Sequence, residues 1–478
     1  MSKRILIVSV LLLTAVLFLQ AKVRLPHIIS DNMIVQQTSK VHLWGWGTSG
    51  KIVKVSVSWS VQIYSTTVGK DGRWNVDVTT PRASYQPLNI VFDDGERTVI
   101  NNVLAGEVWV CAGQSNMEMP LKGFPNCPVE GCNEAIIEAG GLTDKIRFCK
   151  IPSRMAMKPL DDASCSWRCV DQRNVPDQSA VGYFFARMMN RALDIPIGLI
   201  EANKGGTRVE SWLNRENLQA LTSEPLDSAQ IVRQYSWDYH RPLLWGNGTF
   251  SPILGYTVKG ILFYQGCSNV EFPSPNYSNL LACLVEQWRN GFGQGQLPFY
   301  FVQIAPCWYN NDANGTEAAY LREQQLKAQT IIPNSAIVCT NDCVYPWETQ
   351  QIHPRMKKPV GERLAQIALN RNYGFENIRC ESARFDKMRI KGDTCIIFLK
   401  NDYQGISRYE DFQGFEIAGA DRVFHKAEVA YDWRMGLMVR SEKVPHPVAV
   451  RYCFRNFQLG NVYNQALLPL FPFRTDNW

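Results

Sequence analysis

The sequence predicts an α/β protein: a doubly wound, mostly parallel sheet flanked by β-rich regions at both ends. Three observations carry this expectation. Between about residues 106 and 372, short apolar runs alternate with amphipathic stretches of helical period, as strand–helix–strand units do. On either side, apolar residues alternate with period two between turn signals, which argues for half-buried strands. Hydrophobic residues make up 45% of the 478 positions and charged residues 20%, enough apolar surface for a large core and too little charge for disorder.

Residues 1–21 have the layout of a signal peptide. Lys3 and Arg4 form a basic start, Ile5 to Leu19 an apolar run too short for a comfortable membrane span, and Ala21 a small residue at a cleavage point. The mature chain is therefore expected to be secreted or periplasmic, with no membrane contact after cleavage. The net charge of +6 is mild and no basic run supports nucleic-acid binding. Fourteen cysteines in an exported chain permit disulfides, and Cys127/Cys132 and Cys165/Cys169 are close enough to close small loops. No metal-spaced cysteine pair occurs and there are only six histidines, so neither a metal nor a cofactor is expected.

Residues 22–105 read as a β-sandwich-like unit. Val53–Trp59 alternates strictly, and Gly69-Lys70-Asp71-Gly72 and Asp93-Asp94-Gly95 turn between further strands. Residues 106–372 read as the α/β unit. Ala180–Ala192 is a helix with Val181, Phe184, Phe185, Met188 and Ala192 on one face. Ile197–Ala202, Gly260–Tyr264, Phe299–Ala305 and Ser335–Thr340 are buried strands. Helices follow at Leu280–Trp288, Glu317–Thr330 and Pro359–Ala368. From 373 to 478 the pattern is β-rich again, with strands at Asp393–Leu399 and Val448–Phe454.

The chemistry concentrates at three polar, glycine-containing turns that each follow an apolar strand: residues 113–117, 203–207 and 265–269. In an open α/β sheet the carboxyl ends of strands line the binding crevice, so neighbouring strands would bring these turns together. Ser115 is then a candidate nucleophile. Its own amide, the Gly205–Gly206 turn and the Asn269 side chain are candidate oxyanion donors. Of the six histidines, four lie in the flanking β regions and His240 lies in an aromatic stretch. His353 follows the last sheet strand and precedes a helix, where a base facing the crevice belongs. Arg208, next to the glycine turn, is a candidate partner for an anionic sugar, against an ordinary salt bridge.

Four stretches in this order resemble the sialate O-acetylesterase family, a branch of the SGNH (GDSL-like) hydrolases. They are Gly113-Gln114-Ser115-Asn116-Met117, Gly205-Gly206-Thr207 with Glu210-Ser211-Trp212, Tyr264-Gln265-Gly266 with Ser268-Asn269, and Ile352-His353-Pro354 running to Leu364. The resemblance implies an SGNH-type fold and hydrolysis of O-acetyl esters on sialic acids through an acetyl-serine. Ser115 would be nucleophile, His353 general base, and Gly206 and Asn269 oxyanion donors, with Gln114, Arg208 and Gln265 at the substrate. An acetylxylan or other glycan esterase, or a non-catalytic sugar-binding relative, are the alternatives. Two positions depart from the family pattern. Cys267 stands where a Glu is usual, and Gln351 stands where many relatives carry an acid two residues before the histidine. The partner of His353 is thus left open between Asp342, Glu348 and a backbone carbonyl, with Asp342 placed first.

Overall fold

The computed structural model describes residues 22–274, 276–407 and 410–478; the predicted signal segment lies outside them. A largely parallel sheet forms the centre. Its strands run in the order Ser335–Val338, Phe299–Val302, Gly260–Tyr264, Arg97–Gly113, Ile197–Asn203, Ile146–Lys150 and Trp167–Cys169. Every neighbouring pair is parallel except the last, which is antiparallel.

The strand Arg97–Gly113 is the spine. It starts as an exposed hairpin partner of Ser84–Asp93 and becomes continuously buried from Val103 onward. The expected boundary at 105/106 therefore falls inside one strand. The change in pattern is a change in what covers the strand, from one face to both, and not a break in the backbone. In its buried half, Val108, Val110 and Ala112 face a core shared with the helix Tyr277–Phe292. Trp109 and Cys111 face a second core, shared with the helices Ala180–Leu193 and Lys358–Asn372. Alternate side chains thus fill two helical layers, as the period-two geometry of a strand demands.

The helices begin and end where local chemistry dictates. Ser179 caps Ala180–Leu193 by accepting the Gly182 amide. Pro359 sits in the first turn of Lys358–Asn372, where its missing N–H costs nothing. Gly293 closes Tyr277–Phe292 in the left-handed region. Val181, Phe184 and Phe185 are buried as expected, whereas Met188 is half-buried and Ala192 exposed, with Met189 and Asn190 buried at that end of the helix instead.

The strand Ile146–Lys150 is not legible from hydrophobic pattern, since it carries Arg147 at its centre. Arg147 is 1% exposed and donates to the carbonyls of Asn32 and Asn102, so the buried charge is solvated by backbone. The N-terminal strands pack as two layers, Lys40–Trp46 with Arg73–Thr79 over the sheet of Ile52–Val57, Ser60–Thr67 and Ser84–Asp93. The C-terminal region folds as two four-stranded antiparallel sheets around its own core. Its aperiodic end supplies the edge strand Phe473–Arg474, and Arg451 pairs with Asp476 there at 2.8 Å.

Trp109 is fully buried, with ring centroids 5.2 Å from Phe185 and 5.8 Å from Tyr300. Trp109→Ala is expected to cost about 3–5 kcal/mol, transfer and cavity terms together. Denaturant unfolding of the two proteins measures it. A loss under about 1 kcal/mol would mean the sheet is not anchored through this ring.

Candidate active site

Asn203 and Tyr264 are both register partners of Gly113. The three central strands therefore end level, and their turns leave the sheet side by side. Gly113 has φ +135°, and a Cβ there would lie 2.3 Å from the Tyr264 carbonyl oxygen, so only glycine allows the neighbouring strands to approach this closely. The turns then knit to one another. Lys204 N–H donates to the Gly113 carbonyl at 3.0 Å, and Gln114 N–H donates to Tyr264 at 2.9 Å. Gly266 N–H donates to Gln114 Oε1 at 2.6 Å, and Ser268 Oγ–H to the Gly206 carbonyl at 2.8 Å.

Of the expected substrate contacts, Gln114 and Gln265 are part of this knitting and Arg208 is engaged by groups outside it, a correction to the role expected of them. Gln114 is 2% and Gln265 1% exposed. The Gln265 amide donates to Thr207 and Asn269 and accepts from Tyr277. Arg208, 3% exposed, donates to Glu224 at 2.7 Å and to the His240 carbonyl at 2.9 Å, and lies 3.7 Å from Glu210. Each is held by protein partners, as burial of a polar group requires, although Arg208 Nη2 is left without one.

Ser115 opens the short helix Ser115–Glu118. Met117 and Glu118 donate to the Gln114 carbonyl, whereas the Ser115 amide, at the first helical position, has no intrahelical acceptor. His353 Nε2 lies 2.7 Å from Ser115 Oγ. The histidine segment is tied to the serine turn through Asn116, whose Nδ2 donates to the Ile352 carbonyl at 2.9 Å and whose Oδ1 accepts from Lys357 Nζ at 2.6 Å. Asn269 Oδ1 accepts the Val209 amide, and its Nδ2 donates to Glu210 at 3.0 Å. An amide nitrogen carries two hydrogens, so Glu210 takes only one of them. The Gly205 amide is taken by Glu118 Oε2 at 2.6 Å, and Gly206 holds φ +77° beside it.

Among the described residues no carboxylate hydrogen-bonds or ion-pairs with His353. Asp342, the first-placed acid, is corrected: both its oxygens pair with Arg363, at 2.6 and 2.7 Å. Glu348 accepts the Tyr345 amide and the Arg355 guanidinium, both at 3.0 Å. Nδ1 instead faces Cys127 Sγ at 4.0 Å. That thiol donates to Gln351 Oε1 at 3.4 Å, and the same oxygen accepts the His353 backbone N–H at 3.1 Å. The Phe124 ring meets the imidazole edge-on, centroids 5.2 Å apart. The loop that carries Phe124 and Cys127 is tight because the two residues exchange backbone hydrogen bonds. Cys127/Cys132 and Cys165/Cys169 close no loops; all fourteen cysteines are free thiols. Cys267 is buried, and burial pushes its thiol upward, away from nucleophile behaviour.

The electrostatics fit a neutral base. Burial, then the Lys357 charge, pushes His353 down to about 4. Burial likewise pushes Lys357, 1% exposed, down to about 7. Four of these groups escaped sequence reasoning. Cys127 and Phe124 sit more than 200 residues from His353 and carry no motif. Glu118 follows the serine stretch directly and Lys357 comes four residues after the histidine, but their partners lie on other turns.

A serine hydroxyl on an imidazole, beside backbone and amide donors at the ends of parallel strands, is the equipment for acyl transfer. Comparison with known proteins agrees. The family model for carbohydrate esterases described as sialic acid-specific acetylesterases matches residues 105–370. The human sialate O-acetylesterase is 26% identical over 431 residues, covering 83% of this chain and 80% of that protein. The mouse sialate O-acetylesterase is 26% identical over 448 residues, with 83% and 82% covered. Among solved structures, a carbohydrate acetylesterase from Xanthomonas citri superposes with a TM-score of 0.84 at 28% identity, covering 96% of this chain and all of its own.

His353 is expected to stay neutral down to about pH 4. Removing the Lys357 charge removes a cause of the lowering, so in Lys357→Met the titration moves upward, yet stays below 6.5 because burial remains the larger cause. Ring nitrogen shifts of His353 followed by NMR against pH measure both. A wild-type midpoint near 6.5 would refute the assignment.

Proposed function

The chain belongs to the sialic acid-specific acetylesterase family of carbohydrate esterases, and from that premise we propose that it removes O-acetyl groups from sialic acids. The observation that carries this reading is the 2.7 Å contact between Ser115 Oγ and His353 Nε2 at the level ends of three parallel strands. It also weighs against a decayed sugar-binding relative. The central sheet is read as SGNH-type, with the β-rich regions as flanking modules and export directed by residues 1–21.

His353 Nε2 takes the Ser115 proton as Oγ attacks the acetyl carbonyl. The developing oxyanion is met by the Ser115 amide, the Gly206 amide and the free Asn269 N–H. These donors are prepaid, because Gly113, Glu118 and Glu210 already hold the three turns in place. The imidazolium then protonates the departing sugar oxygen, leaving an acetyl-serine. A water activated by the same nitrogen releases acetate. With Nε2 accepting from Ser115, Nδ1 carries the ring proton and directs it at Cys127 Sγ. The unit is a Ser–His dyad steadied by a thiol, with Phe124 packed against the imidazole, in place of an acid-completed triad.

Ser115→Ala is expected to lower acetate release from O-acetylated sialic acid by roughly 10⁴-fold or more, read enzymatically on the purified protein. Unchanged turnover would sink the mechanism. Parallel assays on acetylated xylan decide between a sialic acid and a neutral glycan as substrate. Because the reaction needs neutral His353, the acid limb of kcat/KM is expected near pH 4. Cys127→Asp places a carboxylate at Nδ1, which favours the imidazolium, so the acid limb moves to higher pH. A pH profile identical to wild type would show that the thiol does not face the working imidazole.

A further inference from the structure

Beside the glycine turn stands an aromatic and cationic wall that the reaction steps leave unused. A Cβ on Gly205 would lie 3.3 Å from Ser115 Cβ, and a Cβ on Gly206 would lie 2.4 Å from Tyr239 Cδ2. The turn is thus a single chain thick between the nucleophile and the Tyr239 ring. Trp237 stacks on Tyr239, centroids 5.7 Å apart at 16°, and is 63% exposed. The pair is rigidly backed. His240 packs against Tyr239 at 4.5 Å and against Phe272 at 4.6 Å. Trp245 Nε1 donates to the carbonyl of Asp238, the residue between the two stacked rings, at 3.1 Å. Over the Trp245 ring, 4.7 Å from its centre, sits the ammonium of Lys204.

We propose that this wall is the subsite for the sugar: the C–H face of a pyranose ring rests on Trp237, and Lys204 takes the carboxylate of a sugar acid. The proposal rests on Ser115 as nucleophile and deepens that reading by naming what selects the substrate. The face of an exposed indole is apolar, its N–H lying at the ring edge, which suits the C–H face of a sugar. Among the described residues Lys204 forms no ion pair with a carboxylate, whereas Arg208 has Glu224 and Glu210 beside it. Of the two cations at this turn, Lys204 is the one whose charge is not already balanced by a carboxylate pair, although Arg208 Nη2 has no partner of its own. A flexible ammonium gives a point-charge contact, weaker than the bidentate fork of Arg, so it adjusts preference and does not anchor the sugar alone.

The test compares Trp237→Ala, Lys204→Gln and Lys204→Arg with wild type on O-acetylated sialic acid, its carboxyl methyl ester and 4-nitrophenyl acetate, with thermal unfolding checked for each. Trp237→Ala is expected to lower the kcat/KM ratio of sugar ester to aryl ester by about 10-fold or more, chiefly through KM. Lys204→Gln is expected to erase any preference for the free acid over its methyl ester, and Lys204→Arg to keep it. Wild-type ratios in both Trp237→Ala and Lys204→Gln, in a protein that does hydrolyse acetylated sialic acid, overturn the subsite alone. A wild type that cleaves the aryl ester and no acetylated sialic acid overturns the functional reading and the subsite with it.

Discussion

The site depends on register. Two parallel strands meet Gly113 at the same level, one from each side, and everything polar follows from that alignment. A slip of one residue would turn every side chain of the spine strand to the opposite layer. It would also lift Ser115 out of line with the 203–207 and 265–269 turns. Gly113 makes the alignment possible, since any side chain there would collide with the Tyr264 carbonyl. The chemistry is thus a consequence of backbone packing, with side chains added at positions the sheet has already aligned.

Around that alignment, buried polar groups act as ties. Gln114, Gln265, Asn269 and Asn116 each bridge two turns. A buried amide left unpaired costs about 1–3 kcal/mol, so once these groups are enclosed the turns hold together in one arrangement. The same accounting explains why residues that look free for a ligand in the motif are not. Arg208 is enclosed with two carboxylates, while Lys204, four residues earlier, lies over the Trp245 face and, among the described residues, forms no ion pair with a carboxylate.

His353 shows how an imidazole is set without a carboxylate. An acid at Nδ1 would stabilise the imidazolium and raise its pKa. Here burial and the Lys357 charge push the other way. Orientation is left to packing and to weak polar contacts, with Phe124 edge-on, Cys127 at Nδ1, and Gln351 holding the backbone N–H. Asn116 ties the histidine segment to the serine turn, so the distance between base and nucleophile is fixed by their nearest neighbours in sequence.

Local pattern by itself determined the strands with uninterrupted apolar runs, the helices with clear stripes and caps, the three strand-end turns, and Ser115 and His353 as the residues to watch. These are short-range properties: periodicity, glycine at a turn, a histidine before a helix. Pattern failed where charge was enclosed, as at Arg147, because a buried guanidinium paired with distant carbonyls reads locally as a surface residue. Nor does pattern reveal that one strand runs through the edge expected at 105/106, because the strand continues while its covering changes. Only the tertiary structure decided that Asp342 pairs with Arg363, that Gln114, Gln265 and Arg208 are buried against protein partners, and that a thiol from residue 127 faces His353. Each of those is a choice among partners far apart in sequence, and such choices are made by which groups the fold encloses together.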